Sequence, residues 1–168
     1  PAEDAGTKGL SMKESMFDVL MYLFENYFYD DEPQPDRASL ESELHQAGFT
    51  SNEVNMAFDW LDGLALSRRH TSPAADNSRA LRVYTQDEMA RLDTDCRGFL
   101  LYLEQAGILS PISRELVIDR IMALDHEEID IETLKWVILM VLLGQPGEEA
   151  ALASMEDLMF DGTLHSIH

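Results

Sequence analysis

Two four-residue runs, Thr50-Ser51-Asn52-Glu53 and Thr85-Gln86-Asp87-Glu88, each set a hydroxyl three residues ahead of a glutamate. In such a run the hydroxyl accepts from the third helical amide and the glutamate reaches back to the cap amide, so both runs are helix starts written into the chain. Each precedes apolar residues spaced by three and four. These are Val54, Ala57, Phe58, Trp60, Leu61 and Leu64 after the first run, and Met89, Leu92, Phe99, Leu100 and Leu103 after the second. Only one face of a helix collects residues at that spacing.

The remaining punctuation extends the reading. Ser15 and Asp18 open a first helix with Phe17, Leu20, Met21 and Phe24 on one face, running to about Tyr29. The acidic, proline-bearing run from Asp30 to Pro35 stops it. Asp36 caps a second helix carrying Leu40, Leu44 and Ala47, closed by Gly48. The helical pattern after Thr85 breaks near Asp93-Thr94-Asp95 and ends at Gly107. Ser110-Pro111 supplies a cap and a first-turn proline for a helix carrying Leu116, Val117, Ile118, Ile121, Met122 and Leu124. Asp125 or Asp130 begins the helix that holds the apolar run Trp136 to Leu143, and Glu148 to about Phe160 is the last. Gln46-Ala47-Gly48 and Gln105-Ala106-Gly107 read as one helix-ending chemistry used twice, not as a repeat.

From Ser67 to Ala80 the apolar period is lost, which predicts a surface loop, and Leu81 to Thr85 carries a short β signal. Three helices, a loop and an extended piece follow the order of a winged-helix unit. The expected fold is therefore all-α: a multi-helix compact domain with a winged-helix-like unit over residues 12–85, including one short β element, and a helical unit over 86–160 packed on it. Residues 1–11 are expected to be a lead-in outside the fold, and residues 161–168 a frayed tail.

Composition enters through charge. The 168 residues are 45% hydrophobic, ample for a core, yet carry a formal net charge of −20. The would-be recognition helix from Ser51 to Leu64 holds Glu53, Asp59 and Asp62 and no lysine or arginine, so its approach to a phosphate backbone is repulsive. The local exception is Arg68, Arg69, Arg79 and Arg82, which share their stretch with His70 and only Asp76. These four are the candidate contacts to a phosphate or to a partner's carboxylates; the competing reading pairs them with the protein's own acids. The carboxylates themselves either imitate a nucleic-acid backbone for a basic partner or serve solubility. Met16, Met21, Met56 and Met89 fit an adaptable docking face or plain core filling.

The chain has no G-x-S-x-G, Walker or Rossmann glycine motif and no Cys–His ligand array. Asp125-His126-Glu127-Glu128, with Asp130 and Glu132, is the densest place for a cation, but it lacks the glycine turn and closing glutamate of a calcium loop, and helix-start acids explain it. Only His165 and His168 are closely paired among the histidines. No catalytic, cofactor or metal residues are assigned, and an uncharacterised hydrolase is the remaining enzymatic alternative. Cys96, the one cysteine, forms no disulfide within the chain, sits at a core position of its helix, and points to a reducing compartment such as the cytoplasm. The run at Trp136 is far shorter than the ~20 residues a bilayer requires, so no membrane contact is expected.

Three blocks carry a family resemblance: Met16 to Glu25 (MFDVLMYLFE), Cys96 to Glu104 (CRGFLLYLE) and Leu134 to Leu142 (LKWVILMVL), with Arg82-Val83-Tyr84-Thr85 between the first two. Together they resemble the bacterial Smg protein family across nearly the whole chain from Met12. The resemblance implies a small cytoplasmic protein and no catalytic residues, because the family has no established activity. It also implies a link to DNA metabolism, since members are often encoded near a protein that handles incoming single strands. The expected function is a non-enzymatic acidic adaptor or regulator that binds another protein with a basic surface. The alternative is a nucleic-acid-associated protein, either a DNA mimic or one that touches DNA through the 68–82 loop.

Overall fold

A computed structural model describes residues 15–28, 33–70 and 81–160. Among them are eight α-helices: α1 Met16–Leu23, α2 Arg37–Gln46, α3 Ser51–His70, α4 Gln86–Arg91, α5 Thr94–Gln105, α6 Pro111–Met122, α7 Ile131–Leu142 and α8 Glu149–Phe160. The expected lead-in at 1–11, the tail at 161–168 and most of the 67–80 loop lie outside the described residues.

Helix starts follow the capping residues. Ser15 and Asp18 form a reciprocal box, as do Thr85 and Glu88. Thr50 Oγ1 accepts from Glu53 N at 3.3 Å while Glu53 Oε2 accepts from Thr50 N at 3.1 Å. Asp36, Asp93, Ser110 and Asp130 each take one amide of the first turn of α2, α5, α6 and α7. Each such cap stabilises its helix by about 1 kcal/mol. Asp130, and not Asp125, is the start of α7. The two Gln-Ala-Gly runs do end their helices alike. Gly48 (φ 107°) and Gly107 (φ 78°) take the left-handed conformation, and the following amides, Phe49 N and Ile108 N, donate back to Leu44 O and Leu103 O.

The chain divides into two compact units between Asp62 and Gly63, inside α3, whereas the sequence reading changed units near Thr85. In the first unit Met16, Val19, Leu20, Leu23 and Phe24 of α1 are buried, as are Leu40 and Leu44 of α2 and Val54, Ala57, Phe58 and Trp60 of α3. A π turn, Phe24–Phe28, continues α1. Its wider winding brings residues five apart onto one face. Tyr22 Oη accordingly donates to Glu43 Oε2 at 3.1 Å, and Tyr27 Oη donates to the same oxygen.

The second unit is built on α7, which packs on α5, α6 and α8. Val137 to Leu142 are buried without interruption, so α7 has no solvent face along that stretch. Each of its aliphatic side chains contributes about 1.5–3 kcal/mol of burial. Ile129 N donates to Arg91 O at 2.9 Å, and Leu92 and Ile129 form an isolated parallel bridge, which ties the α6–α7 connection to the end of α4.

Two expectations are corrected. The winged-helix-like unit with its β element is not supported: among the described residues there is no strand, and residues 81–85 are not assigned to one. Leu81 and Val83 stand 76% and 86% exposed, so their β-prone side chains have no sheet surface to cover. Strand preference is largely the energy of that missing packing. The expected loop from Ser67 is also displaced, because α3 continues to His70. No glycine or proline interrupts Leu64 to His70.

Candidate functional site

The four arginines singled out by the sequence have different environments. Arg68 lies on the last turn of α3 with its Nη2 at 3.1, 2.7 and 2.8 Å from the carbonyl oxygens of Met140, Val141 and Leu143. Those carbonyls end α7, where the helix leaves acceptors unpaired and its dipole is negative. Burial pulls the Arg68 pKa below the ordinary arginine value.

Arg82 is gripped by two carboxylates. Its Nε and Nη2 each donate to Glu115 at 2.9 Å, and its Nη1 and Nη2 donate to Glu88. The two glutamates raise its pKa, and its guanidinium in turn holds the carboxyls of Glu88 and Glu115 below their usual range. Arg114 extends the network, donating to Glu104 at 2.7 Å and to Glu115 at 2.9 Å. Arg69 is exposed, and Arg79 lies outside the described residues. Of the three that are described, Arg68 and Arg82 sit half-buried against the protein's own acceptors and Arg69 is exposed.

Sequence reasoning missed that other arginines do the same. Arg91 Nη1 donates to Met122 O and Leu124 O at 2.8 and 2.9 Å, capping α6. Arg97 Nε donates to Leu92 O at 3.1 Å and Asp93 O at 3.3 Å, at the end of α4. A basic residue in a last turn is a visible signal. Arg91, however, serves the carbonyls of another helix, which no local pattern reveals.

Many of the charges are sorted by depth, although Arg37 and Arg69 are exposed and Glu88 is buried. Arg68, Arg82, Arg91, Arg97, Arg114 and Arg120 are all only partly exposed, whereas Asp59, Asp62, Asp87, Asp95, Glu127 and Glu128 are exposed. Asp59 and Asp62 are exposed on α3, and Asp62 accepts from Arg37 Nη1 at 3.2 Å.

Among the methionines proposed for docking, Met16 is buried at 2% exposure and Met89 is open at 42%. Cys96 is fully buried, its Sγ donating to Ile129 O at 3.4 Å, and burial pushes its thiol pKa up to about 12. Among the described residues no group of three or more His, Cys, Asp or Glu side chains could hold a metal ion, and no helix is long and apolar enough to cross a membrane.

Comparison with known proteins adds kinship to this geometry. A family model described as a protein of unknown function, DUF494, matches residues 16–168. Protein Smg homologs from Alkalilimnicola ehrlichii and Halorhodospira halophila are each 59% identical over 158 residues, covering 94% of this chain and 100% of the relative. The chain belongs to the Smg family. A further Smg homolog, from Nitrosococcus oceani, is 55% identical over 161 residues with the same coverage. No solved structure matches the chain. The Smg names state no activity, so the functional argument returns to the sorted charges.

Proposed function

We propose that this Smg-family protein is a non-enzymatic adaptor or regulator whose acidic surface attaches it to a protein with a basic face. The observation that supports this reading is the inward turning of the arginines. Each guanidinium spent on helix-end carbonyls, as at Arg68 and Arg91, sets a positive charge below the surface, which leaves the outer surface more negative than the net charge of −20 alone suggests. Such a field speeds encounter with a positive partner and repels nucleic acid.

The test is affinity capture at low and at high salt, repeated with a variant in which the exposed Asp59, Asp62, Glu127 and Glu128 are all made amides. A partner retained only at low salt, and released by the variant, supports the reading. Capture indifferent to salt and to these charges overturns it.

A second reading, mimicry of a nucleic-acid backbone, draws on the exposed Asp59 and Asp62. It requires the captured partner to be displaced by oligonucleotide, and failure of displacement removes it. Direct contact with DNA through the 68–82 loop rests on Arg69 and Arg79, since Arg68 and Arg82 are held internally. A gel shift that survives Arg69→Ala/Arg79→Ala would remove that version.

A further inference from the structure

Beside α4 the second unit has an open groove of about 410 Å³ between Met89–Asp93 and the connection that leads into α7. Its apolar part is made by Met89, Ala90 and Ile129, and its edge by the carboxylates of Asp93, Glu128 and Asp130. A shallower continuation runs past Ala90 and Arg91 to Asp87, Met122 and Glu127. All five carboxylates are exposed.

The nitrogen-bearing side chains lining it are already engaged. Arg91 holds the carbonyls of Met122 and Leu124, and His126 Nδ1 lies 3.2 Å from Asp125 Oδ1. The walls are tied by the bond from Ile129 N to Arg91 O and the Leu92–Ile129 bridge. Binding here would therefore order little backbone, which removes one of the costs of association.

From this geometry we infer that the groove is the docking site for a Lys- or Arg-bearing peptide segment of a partner protein. The aliphatic stem of the basic residue lies on Met89 and Ala90, and its head reaches Asp93 and Glu128. A long cationic side chain satisfies both halves of the groove at once, since its stem is apolar and its end is charged. Methionine adapts its shape to the stem. A second copy of this chain would bring another −20 charges to the same place, and an uncharged apolar segment would strip water from the rim without pairing it. The inference rests on the adaptor reading above and narrows it to one site.

The test is an amide NMR titration of the full chain with a short peptide of alternating lysine and leucine, amidated at its C-terminus. Shifts should concentrate at residues 89–93 and 127–130 and on the Met89 methyl. The Glu127→Lys/Glu128→Lys variant should bind about tenfold more weakly, by converting attraction to repulsion at the rim. Met89→Ser should bind about threefold more weakly, through loss of the apolar contact. Glu25→Lys/Asp157→Lys, an equal change in net charge far along the chain, should stay within about twofold of the wild type. These positions are exposed, and thermal unfolding of each variant checks that the fold is kept. If the control weakens binding as much as the rim variant, or the shifts scatter over the surface, the groove is refuted while the adaptor reading survives. If the peptide fails to bind at all at low salt, both fall.

Discussion

The guanidinium of Arg68 lies 2.7 Å from the carbonyl oxygen of Val141, joining the end of α3 to the end of α7 across 73 residues of sequence. One side chain thereby satisfies carbonyls at the C-terminus of the most deeply buried helix of its unit. Acceptors of this kind are expensive to leave unpaired away from water.

Arg68→Ala is therefore expected to lower stability by about 2–3 kcal/mol in urea unfolding, because charge-assisted bonds are lost and carbonyls are stranded. Arg69→Ala, at an exposed neighbour, should change it by no more than about 0.5 kcal/mol. Equal effects from the two would contradict the capping role.

Acid should dissolve the Arg82 network. The folded-state pKa of Glu88 is held below its ordinary 4.5 by Arg82, and that of Glu115 likewise, so their contribution is present above about pH 4.5 and is lost as pH falls through the lowered values. Unfolding measured across the acid range should show this loss in the wild type. A Glu88→Gln chain should be about 1–3 kcal/mol less stable at neutral pH and show a flatter acid limb. An unchanged limb would mean that Glu88 is not held by Arg82 in solution.

The shared acceptor Glu43 predicts an effect at the other end of the scale. Tyr27 donates to Glu43 and its pKa is raised to about 12, chiefly by that bond, so its contribution is complete below the ordinary 10.0 and fades as pH rises toward 12. Phenolate absorbance should reveal a late-titrating tyrosine, and Glu43→Gln should bring that titration back toward the ordinary value. A titration indifferent to Glu43→Gln would count against the bond.

Cys96, buried and with its thiol pushed up to about 12, should resist alkylation at neutral pH in the native protein and react once the chain is unfolded. Rapid native labelling, followed by mass spectrometry, would show that the core around it opens.

Gly98 sits inside α5 with nothing within 4 Å of where a Cβ would stand. Gly98→Ala should raise the unfolding free energy by about 1 kcal/mol, through helix propensity alone. A loss of stability would reveal packing at that site.

Much of the fold was legible because its signals are short-range. Thr50 with Glu53, Thr85 with Glu88, and the aspartates at 36, 93 and 130 all act three residues away, so reading four letters was enough. The buried run of α7 could likewise be read as an uninterrupted apolar stretch. The extended segment at Leu81 misled because a β signal is a statement about a packing surface, and here none is supplied. The candidate site was less legible. For the four arginines the sequence left two readings open, contact with a partner or pairing with the protein's own acids; Arg82 pairs with Glu88 and Glu115, while the distant carbonyls that hold Arg68 leave no mark near it in sequence.

The amino-acid order by itself determined where helices begin, the left-handed glycine endings after α2 and α5, and the strongly anionic balance, since capping, φ preference and net charge are properties of neighbours or of totals. Tertiary structure decided which way each cation faces. The carbonyls that receive Arg68 lie 72 to 75 residues away, and those that receive Arg91 lie 31 and 33 away, so their pull exists only once the helices have packed. That packing drew Arg68, Arg82, Arg91 and Arg114 inward, left acids such as Asp59, Asp87, Glu127 and Glu128 exposed, and made an acidic surface out of what the sequence displayed only as a sum.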